Sequence, residues 1–157
     1  MTLNIRLFLA LIIALTLTIL PLPDVMMGIK PLWVLMLVLY VQFFLPHYFN
    51  ITLLFFLGLC LDVLLSTVIG EHAFALLLTT WFAAGKARRF NFFAMLQQMM
   101  LVALYCLIYQ LIVFLIDAFL GYNNGLWIVV GTVSLSTFFW PWVVWALSSG
   151  LLVVRRD

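Results

Sequence analysis

Apolar residues run almost without break along this chain, so the interruptions define its elements. Proline, glycine, asparagine or charge separates six apolar stretches, at 5–22, 31–45, 50–69, 72–86, 93–120 and 126–153. Each is apolar all round, whereas the strands of a membrane barrel alternate apolar and polar positions over about ten residues. The pattern predicts an all-α membrane protein, a bundle of six transmembrane helices forming one domain over residues 1–157. A hydrocarbon core of about 30 Å takes about 20 apolar residues per helix, so 31–45 and 72–86 are short for a full crossing and call for loop residues or a thinned bilayer. Pro31 suits the first turn of the second helix, where its missing N–H would have no intrahelical partner. Asn50 is placed to cap the third, and Pro141 predicts a kink in the last.

Composition narrows the function classes. Hydrophobic types make up 68% of the residues and charged types 8%, which leaves no stretch of these 157 residues for a globular catalytic headpiece. The run after Arg6 reads as an uncleaved anchor, because it lacks a small-x-small cleavage site. A net charge of +2, carried by scattered basic residues, excludes the clustered basic face that nucleic acid requires. Cys60 and Cys106 fall in mid-helix, apart from each other and from any histidine, and are expected to be small core residues; no disulfide, metal or cofactor is expected.

Charge also orients the bundle. With six spans and a cytoplasmic N-terminus, Arg6, Lys86, Arg88, Arg89, Arg155 and Arg156 fall inside and Lys30 alone falls outside, as the positive-inside tendency demands. Both termini are therefore expected in the cytoplasm. Trp127 near one interface, with Trp142 and Trp145 toward the other, reads as an aromatic belt.

Asp62 is the costly residue. It lies about 18 Å along the third helix at 1.5 Å per residue, hence near mid-membrane, where a carboxylate costs on the order of 3 kcal/mol unless it is protonated, interior or paired. Gly58 and Ser66 sit four residues either side, a stripe of small residues that would let another helix approach. On the fifth helix Gln110 and Tyr109 are at matching depth, and a hydrogen bond from one of them to Asp62 is expected. His47 follows Pro46 in a cytoplasmic turn. His72 stands beside Glu71, but adjacent residues rarely aim at one target and no nucleophile accompanies them, so no enzymatic activity is expected. The basic KARRF loop could also meet anionic lipid.

Several motifs then coincide in order: LPLPD at 20–24, KPLWVL at 30–35, LPHYFN at 45–50, GLCLD at 58–62, Gly70 and a final Trp-Pro-Trp helix. Together they resemble the MreD family of rod shape-determining proteins over nearly the whole chain. The resemblance implies a small subunit of the bacterial inner membrane, part of the cell-elongation complex that builds peptidoglycan. It implies binding to the single-span protein MreC, alongside the glycan polymerase RodA and its transpeptidase, with an indirect link to the MreB filament. It also implies a fold similar to the substrate-binding subunits of energy-coupling-factor transporters. The residues it singles out are Lys30 with Pro31, Pro46 with His47, Gly58, Asp62, Gly70 and Trp140 with Pro141. Lys30 stands where the family usually has arginine, which keeps the charge and loses the bidentate fork. Ser66 stands where glycine is expected, which implies a looser helix approach there.

Two functions follow. The first is a non-catalytic assembly subunit that grips the span of a partner through a small-residue groove. The second is a transport subunit that captures a vitamin-type solute with Asp62 as polar anchor, for which several convergent polar groups would be needed.

Overall fold

The computed structural model describes residues 3–20, 29–122 and 125–148. Among them are seven α-helices and no strand: α1 (Leu3–Ile19), α2 (Trp33–Phe44), α3 (Ile51–Leu64), α4 (Glu71–Ala84), the single turn α5 (Ala87–Phe90), α6 (Met95–Phe119) and α7 (Leu126–Ala146). A 3-10 turn at Pro46–Tyr48 joins α2 to α3. By length and composition two of them, α6 and α7, are long and apolar enough to cross a membrane; α1, α2 and α3 are shorter apolar helices. The LPLPD segment beyond residue 20, Asn123, Asn124 and the terminal basic pair lie outside the described residues.

The centre of the bundle is α2. Val34 through Tyr40 are buried without exception, together with Gln42 and Phe43, because α1, α4, α6 and α7 all pack on this helix. Only a helix enclosed by protein can be apolar on every face and still bury each face against side chains. At 12 residues α2 is only about 18 Å long, and its ends therefore need internal partners for their backbone groups. One is Ser136 on α7, whose hydroxyl accepts from Leu32 N at 2.9 Å while donating to the Thr132 carbonyl at 2.7 Å. Pro31 does not sit in the first turn of α2: the helix starts at Trp33, whose N–H bonds the Pro31 carbonyl at 3.0 Å.

Around α2 the helices form a curved layer in which α3 packs on α4, α4 on α6 and α6 on α7. An aromatic cluster closes the end that carries the α2–α3 turn. Phe43 stacks on Phe90 with ring centroids 3.8 Å apart, and Trp140 meets Phe90 edge-on at 6.1 Å. Trp140 is thus fully buried, whereas Trp127, Trp142 and Trp145 face outward on α7. Cys106 is a core residue, but Cys60 is exposed, contrary to expectation.

The largest departure from the sequence pattern is the length of α3. The apolar run continues to 69, yet the helix ends at Leu64. Ser66 adopts φ 54°, its N–H bonds the Val63 carbonyl at 3.3 Å, and Thr67 N bonds the Asp62 carbonyl at 3.0 Å. This is a Schellman termination with a left-handed residue at its end. Helix α6 ends the same way, with Gly121 at φ 87° and Tyr122 N bonded to the Asp117 carbonyl at 2.9 Å. Ser66 therefore lies in an exposed turn and is not part of a helical stripe with Gly58 and Asp62. The glycine expected at that position is explained by backbone conformation, since a side chain in the left-handed region costs about 1–2 kcal/mol.

Candidate functional site

With α3 cut short, Asp62 sits in its last turn, at the hairpin with α4 and not in the middle of a span. Helix α4 has Gly70 as N-cap, at φ 100° and with no side chain to satisfy the first amides. Asp62 supplies what is missing. Its Oδ2 accepts from Gly70 N at 2.7 Å and its Oδ1 accepts from His72 N at 2.8 Å. The carboxylate is fully buried, and it lies at the helix end where free N–H groups and the helix dipole favour negative charge.

The imidazole of His72 completes the shell, with Nδ1 3.0 Å from Oδ1, and the Thr67 hydroxyl lies 3.2 Å from Nδ1 and 3.5 Å from Oδ1. With its proton on Nδ1 the ring donates to Asp62 and keeps Nε2 as an acceptor. The expected bond from Gln110 or Tyr109 is absent: both Asp62 oxygens are taken by the hairpin itself. A turn of only a few residues brings Gly70 and His72 to Asp62, whereas side chains on α6 would have to reach across.

One helical turn below, Gly58 packs directly on α4. A Cβ there would overlap the Cα of Ala73 and lie 2.8 Å from its N and Cβ, so only glycine permits this approach. The small-residue groove expected for a partner at Gly58 is thus filled by the chain's own α4. Asp62 and Gly58, four residues apart on one face of α3, hold the same hairpin at two heights.

Beside the hairpin lies a cavity of about 130 Å³, where ends of α1, α2, α3, α4 and α7 meet the middle of α6. Lys30 and Pro31 line its α2 side, His72 its α4 side, Tyr109 and Gln110 its α6 side, and Thr132 its α7 side. Lys30 and Gln110 are half-buried, and Pro31 is buried. The other candidates lie elsewhere. Pro46 and His47 are exposed in the 3-10 turn at the opposite end, where Asn50 caps α3 by accepting from Thr52 N at 3.0 Å. Pro141 is inside α7, next to the buried Trp140.

Sequence reasoning missed Thr67, Ser136 and Thr132, and, having set aside Glu71 as a partner for His72, it did not find Asp62, ten residues back. A signal was present: an unpaired acid in an apolar run, followed eight residues later by a glycine opening a helix. Among the described residues no group of three or more histidine, cysteine, aspartate or glutamate side chains is placed to hold a metal ion.

The family model of rod shape-determining protein MreD matches residues 1–149. A protein of Haemophilus influenzae, described as rod shape-determining protein MreD, is 29% identical over 132 residues, which cover 84% of this chain and 82% of that relative. No solved structure matches.

Proposed function

The chain belongs to the MreD family of rod shape-determining membrane proteins, and from that membership we propose that it is a non-catalytic subunit of the bacterial cell-elongation complex. In this reading it grips the single span of MreC and so helps position peptidoglycan synthesis by RodA and its transpeptidase. The MreB filament is reached indirectly. The six principal helices lie in the inner membrane with both termini cytoplasmic, in an arrangement like that of energy-coupling-factor substrate-binding subunits. Their alternating connections support this, because the turn at 65–70, the end of α6 at 120–122 and the entry to α2 share one end of the bundle.

The observation that carries the reading is a second cleft, of about 150 Å³, between α1, α2 and α7. Ile13 and Leu17 on α1 and Ala146 on α7 are its exposed walls, while Ala10, Ala14, Leu37 and Leu147, buried by the chain itself, form its floor. The small residues of the floor keep the cleft concave, so a foreign helix can seat in it, and in lipid such close packing, more than hydrophobicity, drives helix association. The partner's span is therefore assigned to this face, since the Gly58 face is occupied by α4.

The test is affinity isolation from membranes in mild detergent. Recovery of a stoichiometric bitopic protein supports the assembly role, and rounding of rod cells on depletion supports its place in elongation. Isolation of the chain with a vitamin-sized solute and no bitopic partner would overturn it in favour of transport.

A further inference from the structure

We propose that the cavity between Lys30, His72, Tyr109, Gln110 and Thr132 is a binding site for a small anionic group of the phosphate class, carried by a lipid headgroup or free in solution. This rests on the cavity alone and not on the assembly role.

Three observations lead to it. First, Lys30 is the one charged side chain lining the cavity, and its ammonium forms no ion pair among the described residues. No carboxylate lines the space: Asp62 lies behind His72, its oxygens accepting from Gly70 and His72, and Glu71 and Asp117 are outside the lining. Second, Tyr109 and Thr132, each only 3% exposed as residues, bring a hydroxyl each to the lining of the cavity. Each hydroxyl has one O–H to donate to a group held in the cavity. Third, the Gln110 amide adds two N–H donors on the same wall.

A half-buried ammonium, two hydroxyls and an amide together present the donors that a phosphate's oxygens accept, and bonds to a charged oxygen are the stronger kind. Size points the same way. One water needs about 10–15 Å³ and drug-sized ligands occupy pockets of about 300–1,000 Å³, so about 130 Å³ suits a charged group and little more. The remaining walls, mostly aliphatic with Trp33 and Pro31 among them, fit the apolar body of a molecule that bears such a group.

The experiment uses the full chain reconstituted in phosphatidylcholine nanodiscs. One arm adds a minor fraction of phosphatidylglycerol and counts the retained anionic lipid by native mass spectrometry; the other adds inorganic phosphate and follows thermal unfolding. Lys30→Ala should weaken binding about tenfold or more, the worth of one charge-assisted bond, while Lys30→Arg retains it. Ser134→Ala, an exposed hydroxyl on α7 outside the cavity, should leave it unchanged. Binding of the lipid alone identifies a headgroup, and a response to phosphate identifies a free anion. Unfolding in pure phosphatidylcholine verifies that each variant is folded, and Thr132→Val, which removes one hydroxyl at nearly constant volume, serves where Lys30→Ala is not. Failure of both probes to bind, or binding that is equal in wild type, Lys30→Ala and Thr132→Val, overturns the proposal.

Discussion

Asp62 and Gly70 form one capping unit across two helices: the glycine opens α4 without a side chain, and the aspartate at the end of α3 bonds its N–H at 2.7 Å. The buried charge thereby becomes a fastener of the hairpin. Removing the carboxylate leaves the amides of Gly70 and His72 buried and unpaired. Asp62→Ala should lower stability by about 3–5 kcal/mol, the cost of breaking a buried charged set. Asp62→Asn, which keeps one acceptor oxygen, should cost less. Unfolding midpoints in detergent rank the two, and equal values would refute the capping role.

Gly58 and Ala73 set the distance between α3 and α4. Gly58→Ala forces backbone apart and should cost about 1–3 kcal/mol. Adding Ala73→Gly should restore only part of that, because Ala73 Cα and N obstruct the new methyl as well as its Cβ does. A double-mutant cycle reads the coupling.

Ser66 offers the opposite sign. At φ 54° it occupies the position that Gly121 fills at the end of α6. Ser66→Gly relieves about 1–2 kcal/mol of left-handed strain and adds back part of it as flexibility of the unfolded chain. A net gain of about 0.5–1 kcal/mol is expected in the same unfolding assay.

Filling the α1–α7 cleft tests the assembly role at residue level. Ala146→Phe, on the exposed wall of the cleft, should abolish recovery of the bitopic partner while leaving the hairpin intact, and Val63→Phe, on the exposed face of α3, should not. Quantitative co-purification of both variants distinguishes this face from any other.

Topology is open to labelling. With Cys60 and Cys106 replaced by alanine, single cysteines at Ser66 and Tyr122 should react with an impermeant maleimide from outside the cell. One at Phe92 should react only after the membrane is opened. The reverse pattern would invert the orientation.

Helical class, membrane residence and the oddity of Asp62 were legible in the chain, because apolar runs and a misplaced charge are local properties that need no knowledge of neighbours. Among the described residues there are seven helices, one of them the single turn Ala87–Phe90 within the basic loop. Three things were not legible, and each depends on how separated segments meet. The end of α3 at Leu64 follows from a Schellman turn that apolar periodicity cannot register, since Ser66, Val68 and Ile69 continue the run without continuing the helix. The partner of Asp62 follows from that turn, which swings α4 back so that amides, and not Gln110, reach the carboxylate. The cavity around Lys30 exists because ends of five helices converge on α6, and convergence is a property of packing in three dimensions that no spacing along one strand of sequence encodes.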